Sequence, residues 1–182
     1  MSKLLLYLLF CLFYFVSTNA QQEYITRQGE LSFFSYTSVE NIEASNSQIL
    51  SLFYPGTNKI GVQILMRAFK FEKSLMYEHF NESYIESDLY PKALFEGEVL
   101  DFDTTIEGEQ TRIIKGNFTL RGITKPVEVK ARIIKNNDDY VISGTLEVLV
   151  DDYEIKIPAI LSPNIAENIK ISFNFQYAPN DN

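Results

Sequence analysis

The chain has 182 residues, 46% of them hydrophobic and 22% charged, with 16 basic and 24 acidic side chains, one Cys, one His and no Trp. A formal net charge of −8 argues against nucleic-acid binding, which needs clustered Lys and Arg. One His and one Cys leave little material for a zinc site, a disulfide framework or a Cys/His nucleophile pair.

From the N-terminus, Lys3 precedes thirteen uninterrupted apolar residues, Leu4–Val16, closed by Ser17-Thr18-Asn19-Ala20. This is the plan of a secretory signal peptide cleaved after Ala20. The apolar run falls short of the roughly 20 residues that span a bilayer, and an uncleaved anchor is the rival reading. The expectation is an exported chain, periplasmic or secreted, whose mature domain covers residues 21–182. That domain holds no Cys, so it needs no disulfide and must draw its stability from its core.

The remainder reads as strands joined by short turns. Gln48–Tyr54 runs into the turn Pro55-Gly56-Thr57-Asn58 and out along Lys59–Arg67. Glu72–Asn81 is the one stretch with a helical look before the alternation resumes at Lys92–Asp101. After Glu107-Gly108-Glu109, at the tip of an acidic hairpin, Thr111–Arg121 sets Ile114, Gly116, Phe118 and Leu120 against Lys115, Asn117 and Thr119. Turn clusters at Arg121–Lys125 and Asn136–Asp139 flank Pro126–Lys135, where Val127, Val129, Ala131 and Ile133 alternate with Glu128, Lys130 and Arg132. Tyr140–Val150 follows, then a second short helix around Pro163–Glu167. The chain ends on Asn168–Tyr177, whose Ile169, Ile171, Phe173, Phe175 and Tyr177 share one face. Such alternation marks strands with one dry and one wet face.

Roughly seven to nine antiparallel strands permit either a sandwich or a closed barrel. Gly61, Gly97, Gly116 and Gly144 fall within strands. Glycine there marks bends or close approach, and in a barrel it permits curvature and leaves interior space for a ligand.

Catalytic motifs are missing. There is no GxSxG, HExxH, GxxxxGK[ST] or GxGxxG. His79 has Glu78, Glu82, Glu86 and Asp88 near it in sequence, but a hydrogen-bonded His in an irregular connection is the simpler reading. Asp101, Asp103, Glu107 and Glu109 lack the spacing of an EF-hand and read as a solvated acidic hairpin. Asn81-Glu82-Ser83 and Asn117-Phe118-Thr119 match the N-glycosylation pattern. No catalytic residue, metal site or cofactor is assigned.

One block carries a resemblance. Phe69–Gly97 (FKFEKSLMYEHFNESYIESDLYPKALFEG) is similar to the "F.F...LM..HFNE.Y.ES..YP.A.F.G" pattern of the YceI-like family of lipid- or polyisoprenoid-binding proteins. Phe118–Val127 resembles that family's "LT..G.TK.V" hairpin, Leu31–Ser35 and Val39–Asn46 its opening strands, and Asp152–Pro158 with Ile165–Ile169 its closing portion. The sequence departs from the pattern in lacking an opening Trp and His-Ser pair, and in carrying Arg121 where many relatives have His. The resemblance implies an all-β, lipocalin-like antiparallel barrel of about eight strands, with one or two short helices and an apolar tunnel. It also implies a periplasmic location, often a homodimer, and binding of a long isoprenoid chain such as a quinone or polyprenyl compound. Transient membrane contact is a further expectation.

The alternation supplies inward-facing candidates for ligand contact: Phe33, Ile64, Met66, Phe95, Val99, Phe118, Val129, Leu146, Phe173 and Phe175. The loop Glu78–Pro91 is expected to fold over the barrel and shape its opening, with Tyr84 and Tyr90 as amphipathic contacts. An ordinary packed core is the rival for the first group and a structural plug for the second. Rival functions are an adhesion-type domain with a filled interior and, more remotely, a lipid or glycan hydrolase using His79.

Overall fold

The computed structural model describes residues 22–37, 41–157 and 165–180. The strands are β1 (Tyr24–Tyr36), β2 (Asn41–Tyr54), β3 (Lys59–Leu65), the two-residue β4 (Lys70–Phe71), β5 (Lys92–Val99), β6 (Gly108–Leu120), β7 (Ile123–Asn136), β8 (Asp139–Leu149) and β9 (Asn168–Pro179). Their order is β1-β9-β8-β7-β6-β5-β3-β2-β4, and β1 also pairs with β2. All pairings are antiparallel. The β1–β2 ladder, Tyr24↔Phe53 through Tyr36↔Asn41, closes the eight long strands into a barrel. That closure excludes the sandwich and removes the open edges.

One helical segment interrupts the strands. α1 (Ser74–His79) continues as a wider π turn over Phe80–Tyr84, beginning and ending a few residues later than the sequence pattern suggests. A 3-10 turn at Met66–Ala68 ends β3, and another at Val150–Tyr153 follows β8. Of the second expected helix, Pro163 and Asn164 lie outside the described residues, and residues 165–167 are not helical. The expected signal segment, residues 1–20, also lies outside them.

Local chemistry accounts for the connections. Arg121 and Gly122 both take positive φ (52° and 77°), which matches a two-residue turn to the twist of β6 and β7. Pro126 sits inside β7, opposite Asn117 of β6. It is tolerated because β8 pairs with β7 only over Ala131–Asn136, so one side of the strand is free at that level.

Strand pairing and closure give the barrel interior two unlike ends. The N-terminal ends of β1, β6 and β8 and the C-terminal ends of β2, β5, β7 and β9 meet at a tightly packed floor. There Phe53 has Tyr140, Phe102 and Tyr177 around it at ring-centroid distances of 5.4, 5.6 and 5.8 Å, and Tyr24 packs edge-on against Tyr140 at 4.8 Å. Phe102 comes from the β5–β6 connection, where a solvated hairpin was expected, and its side chain is buried. Buried Gln110 holds that connection: its Nε2 donates to Asp103 O at 2.7 Å.

Buried polar groups in the floor are paired. Tyr177 Oη and Ser51 Oγ lie 2.7 Å apart, and Ser51 Oγ donates to Gly61 O at 2.8 Å. Burial pushes the Tyr177 hydroxyl well above the usual tyrosine range, and Tyr140 and Tyr24 are raised in the same way. A phenol that stays protonated in the fold but ionises near pH 10 when unfolded contributes stability fully present below pH 10. That stability is lost as pH rises from about 10 toward the folded-state value, at about 1.4 kcal/mol per pH unit for each such group. Urea unfolding between pH 9 and 12 should therefore show a steep loss above about pH 10, and Tyr177→Phe should make that slope shallower. An unchanged slope in the variant would remove Tyr177 as its source.

Candidate functional site

At the opposite end the strands diverge around a chamber of about 330 Å³. Its deep wall is formed by buried side chains on five strands, among them Leu31, Ile64, Ala93, Phe118 and Val148. The exposed side chains in its lining, Lys73 and Leu75, mark the mouth beside α1. The lining is otherwise apolar apart from Ser35, His79 and the hydroxyl of Tyr84. Ser35 is committed to the fold, accepting a hydrogen bond from the Ala166 N–H at 2.9 Å.

Aromatic packing positions the lid. Phe33 of β1 stacks on Phe80 at 5.5 Å and touches Phe69 at 5.3 Å and Phe71 at 5.8 Å. Phe80 also contacts Phe69 and Phe71 at 5.4 and 5.1 Å. These four rings fasten the segment after β3 and the π turn to one side of the mouth. Such pairs are worth about 0.5–1.5 kcal/mol each beyond their buried area.

The densest sequence pattern serves this scaffold. Asn81 is buried; its amide donates to Tyr77 O at 2.8 Å, and its side-chain oxygen accepts from Ser87 Oγ. Ser87 N–H donates back to Asn81 O at 2.8 Å, so the turn after α1 is closed on both sides. A buried, committed amide is not open to glycosylation in the folded chain, whereas Asn117 lies exposed on β6. Arg121 forms an ion pair with Glu86, donates to Glu154 O at 2.8 Å, and lies 5.7 Å from the centroid of the Tyr90 ring. It joins the β6–β7 hairpin to the loops after α1 and β8, and it does not line the chamber.

A second cavity of about 60 Å³ lies deeper and shares Leu31, Ile64, Phe118 and Ile171 with the first. Its other walls include Phe95, Phe173 and Phe175. Here the strand glycines act differently from expectation. A Cβ on Gly97 or Gly116 would lie 2.6–2.7 Å from the Phe95 ring, and one on Gly144 2.8 Å from that of Phe173. One on Gly29 would lie 2.6 Å from the Phe175 ring. These glycines seat aromatic rings against the wall, and open lumen remains only beside the rings. Gly61 has nothing within 4 Å of its Cβ position and takes no part.

Of the candidate contacts, Phe33, Ile64, Met66, Tyr84 and Phe118 line the large chamber, and Phe95, Val129, Leu146, Phe173 and Phe175 line the small one. Two do not reach either. Val99 is fully buried at the floor end of β5, and Tyr90 covers the β6–β7 turn with its ring 2.9 Å from where a Gly122 Cβ would be. Alternation alone missed Phe69, Phe71, Met76 and Phe80, because they lie outside the long strands.

His79 closes α1 and faces the chamber. Among the described residues, no three His, Cys, Asp or Glu side chains group in a way that could hold a metal ion. In the acidic connection, Thr105 donates to Asp103 through Oγ1 and N–H and holds its carboxyl below the usual range. Glu107 and Glu109 pair with Lys135 and Arg132.

A search of curated proteins found no match. Among solved structures, a polyisoprenoid binding domain from Saccharophagus degradans, implicated in plant cell wall breakdown, is similar with a TM-score of 0.74 at 10% identity, covering 87% of this chain and 98% of that one. BcnA of Burkholderia cenocepacia is similar with a TM-score of 0.69 at 15% identity, covering 81% and 95%. The YceI protein of Campylobacter jejuni gives 0.62 at 16% identity, covering 81% and 90%. At these identities the likeness establishes the barrel fold. The model of the YceI-like domain matches residues 16–177, and the chain therefore belongs to the YceI-like family.

Proposed function

We propose that the protein is an exported carrier that holds one apolar, chain-like lipid, an isoprenoid or a similar hydrocarbon tail, inside the barrel. The observation that carries this reading is the open chamber of about 330 Å³ with an almost wholly apolar lining, at the lower end of the range for ligand pockets. A filled interior, as an adhesion domain would have, does not leave such a space. Each CH₂ moved from water into the chamber gains about 0.8 kcal/mol before ordering losses. Lys73, His79 and the Tyr84 hydroxyl among apolar walls suit a ligand with one polar end, held tail inward. The polyisoprenoid binding attributed to the S. degradans domain supports the same ligand class.

Export rests on the N-terminal three-part segment, and loading from a membrane surface on the exposed Leu75 at the mouth. Protein purified without detergent and extracted with organic solvent should yield a chain-like lipid in near-stoichiometric amount by mass spectrometry. A blank extract from protein that also fails to bind an added prenylated quinone overturns the carrier reading. Ala93 is buried in the chamber wall, so Ala93→Phe should fill the space and lower lipid loading about tenfold or more, since the ring displaces several ligand carbons. Retained loading would place the lipid elsewhere.

A further inference from the structure

At the height of the chamber the barrel wall is not strand all the way round. Every long strand except β7 contributes side chains to the chamber lining. Between Phe118 and Leu120 of β6 and Val148 of β8, the lining comes instead from Val150, Ile155 and Ile157, on the strap that follows β8. The cause lies in the β7–β8 ladder. It joins Ala131–Asn136 to Asp139–Gly144 and stops, although β7 begins at Ile123 and β8 runs on to Leu149. Continued in the same register, it would set Glu128 opposite Glu147, where like charges repel. It would also set Pro126, which has no N–H to donate, opposite Leu149. The two strands therefore part, and Val127 and Leu146 at the split are only half-buried.

We infer that the strap Val150–Ile157 is a hinged wall of the chamber, and that the lipid enters and leaves by displacing it through the split between β7 and β8. The inference rests on the carrier reading and adds the route of exchange. Elsewhere the wall is held by backbone ladders or, between β2 and β5, by β4 and the cluster of Phe33, Phe69, Phe71 and Phe80. The strap is held more lightly. Among the described residues no backbone hydrogen bond joins it to β7. Arg121 Nη1 donates to Glu154 O at 2.8 Å, Lys125 and Asp152 lie 3.7 Å apart, and buried Tyr153 packs edge-on against Phe118 at 5.7 Å. An exposed pair such as Lys125–Asp152 adds little. The fixed end lies at β9, where Val150 N–H donates to Glu167 O at 3.0 Å. Glu154 takes left-handed backbone (φ 53°, ψ 31°), a conformation costly to a residue with a Cβ, so opening the strap releases strain.

Residues 21–182 contain no Cys, so Lys125→Cys with Asp152→Cys places two thiols across the split at exposed positions. The mature protein is loaded with a dansyl-labelled farnesyl probe and joined by a bismaleimide carrying a disulfide in its spacer. Probe release into phosphatidylcholine vesicles is then followed by fluorescence. Cross-linking should slow release about tenfold or more, and reduction of the spacer should restore it. Equilibrium affinity should not change, because a barrier slows entry and exit alike. Release at the rate of the unlinked protein overturns the gate and leaves the carrier reading standing. A probe that never binds overturns the carrier reading, and the gate falls with it. If the thiols do not cross-link, two single variants decide. Arg121→Gln removes the donor to Glu154 O and should speed release about three- to tenfold. Glu86→Gln loosens only the lid's ion pair and should leave the rate unchanged. Equal rates in the two variants overturn the gate.

Discussion

Phe53→Ala is expected to lower the free energy of unfolding by about 3–5 kcal/mol, a large share of the 5–15 kcal/mol typical of a domain. Phe53 is fully buried and stands at the centre of the floor, with the rings of Phe102, Tyr140 and Tyr177 all within 5.8 Å. Its neighbours belong to β8, β9 and the β5–β6 connection, and the barrel's hydrogen-bond ladders prevent them from collapsing into the space. Most of the cavity would therefore remain, adding its own penalty to the lost transfer energy. Phe33→Ala provides the contrast. Phe33 also touches three rings, but one side of it already faces the open chamber, so its removal loses fewer contacts and should cost about half as much. Urea unfolding at constant m-value measures both. Equal losses would mean that the chamber is as tightly packed as the floor, which would count against a ligand.

This difference between floor and chamber marks how far the sequence is readable. Alternation in β6, β7 and β9 identifies which residues face inward, because a half-buried strand writes its two faces with period two. It is silent about depth along the barrel axis. Phe53, Tyr140 and Tyr177 read like Phe33 and Phe118, yet the first three plug the lumen and the last two line it. Depth depends on which strand ends meet, a consequence of the β1–β2 closure and the register of the ladders. β1 and the first half of β2 are recognisable by resemblance rather than by pattern. Their inward positions include Ser35 and Asn46, buried polar groups whose partners are far away in sequence. Asn46 donates to Leu65 O at 2.9 Å and accepts from Gln48 N–H, and the alternation slips a residue at that point. In the HFNE block the pattern is visible but its purpose is not. Asn81, Glu86 and Ser87 hold the lid's own backbone and the β6–β7 turn, and the chamber takes its lining from Met76 and Phe80 before them and from Tyr84 and Ile85 between them.

Gly116→Ala is the second large effect, and its sign is not what strand propensity alone gives. In an exposed strand Ala is preferred to Gly by about 0.5–1 kcal/mol. At Gly116 the new methyl would lie 2.4 Å from Glu96 O, 2.7 Å from Gly97 Cα and 2.7 Å from the Phe95 ring. The ring can swing away into the small cavity, but the two backbone atoms belong to the adjoining strand, where Gly97 pairs directly with Gly116. Relief requires β5 and β6 to separate, which strains their hydrogen bonds. Overpacking typically costs about 1–3 kcal/mol, and contact with backbone puts this case at the upper end. The displaced Phe95 ring would also occupy lumen, so lipid loading should fall with stability. Gly61→Ala separates the two explanations: it lies on the neighbouring β3, its Cβ would meet nothing within 4 Å, and the substitution should be neutral or stabilise by a few tenths of a kcal/mol. Thermal melts of the two variants, with lipid content measured on each, decide the matter. If both destabilise alike, the glycines serve strand curvature; if only Gly116→Ala does, they serve as seats for the rings that shape the chamber.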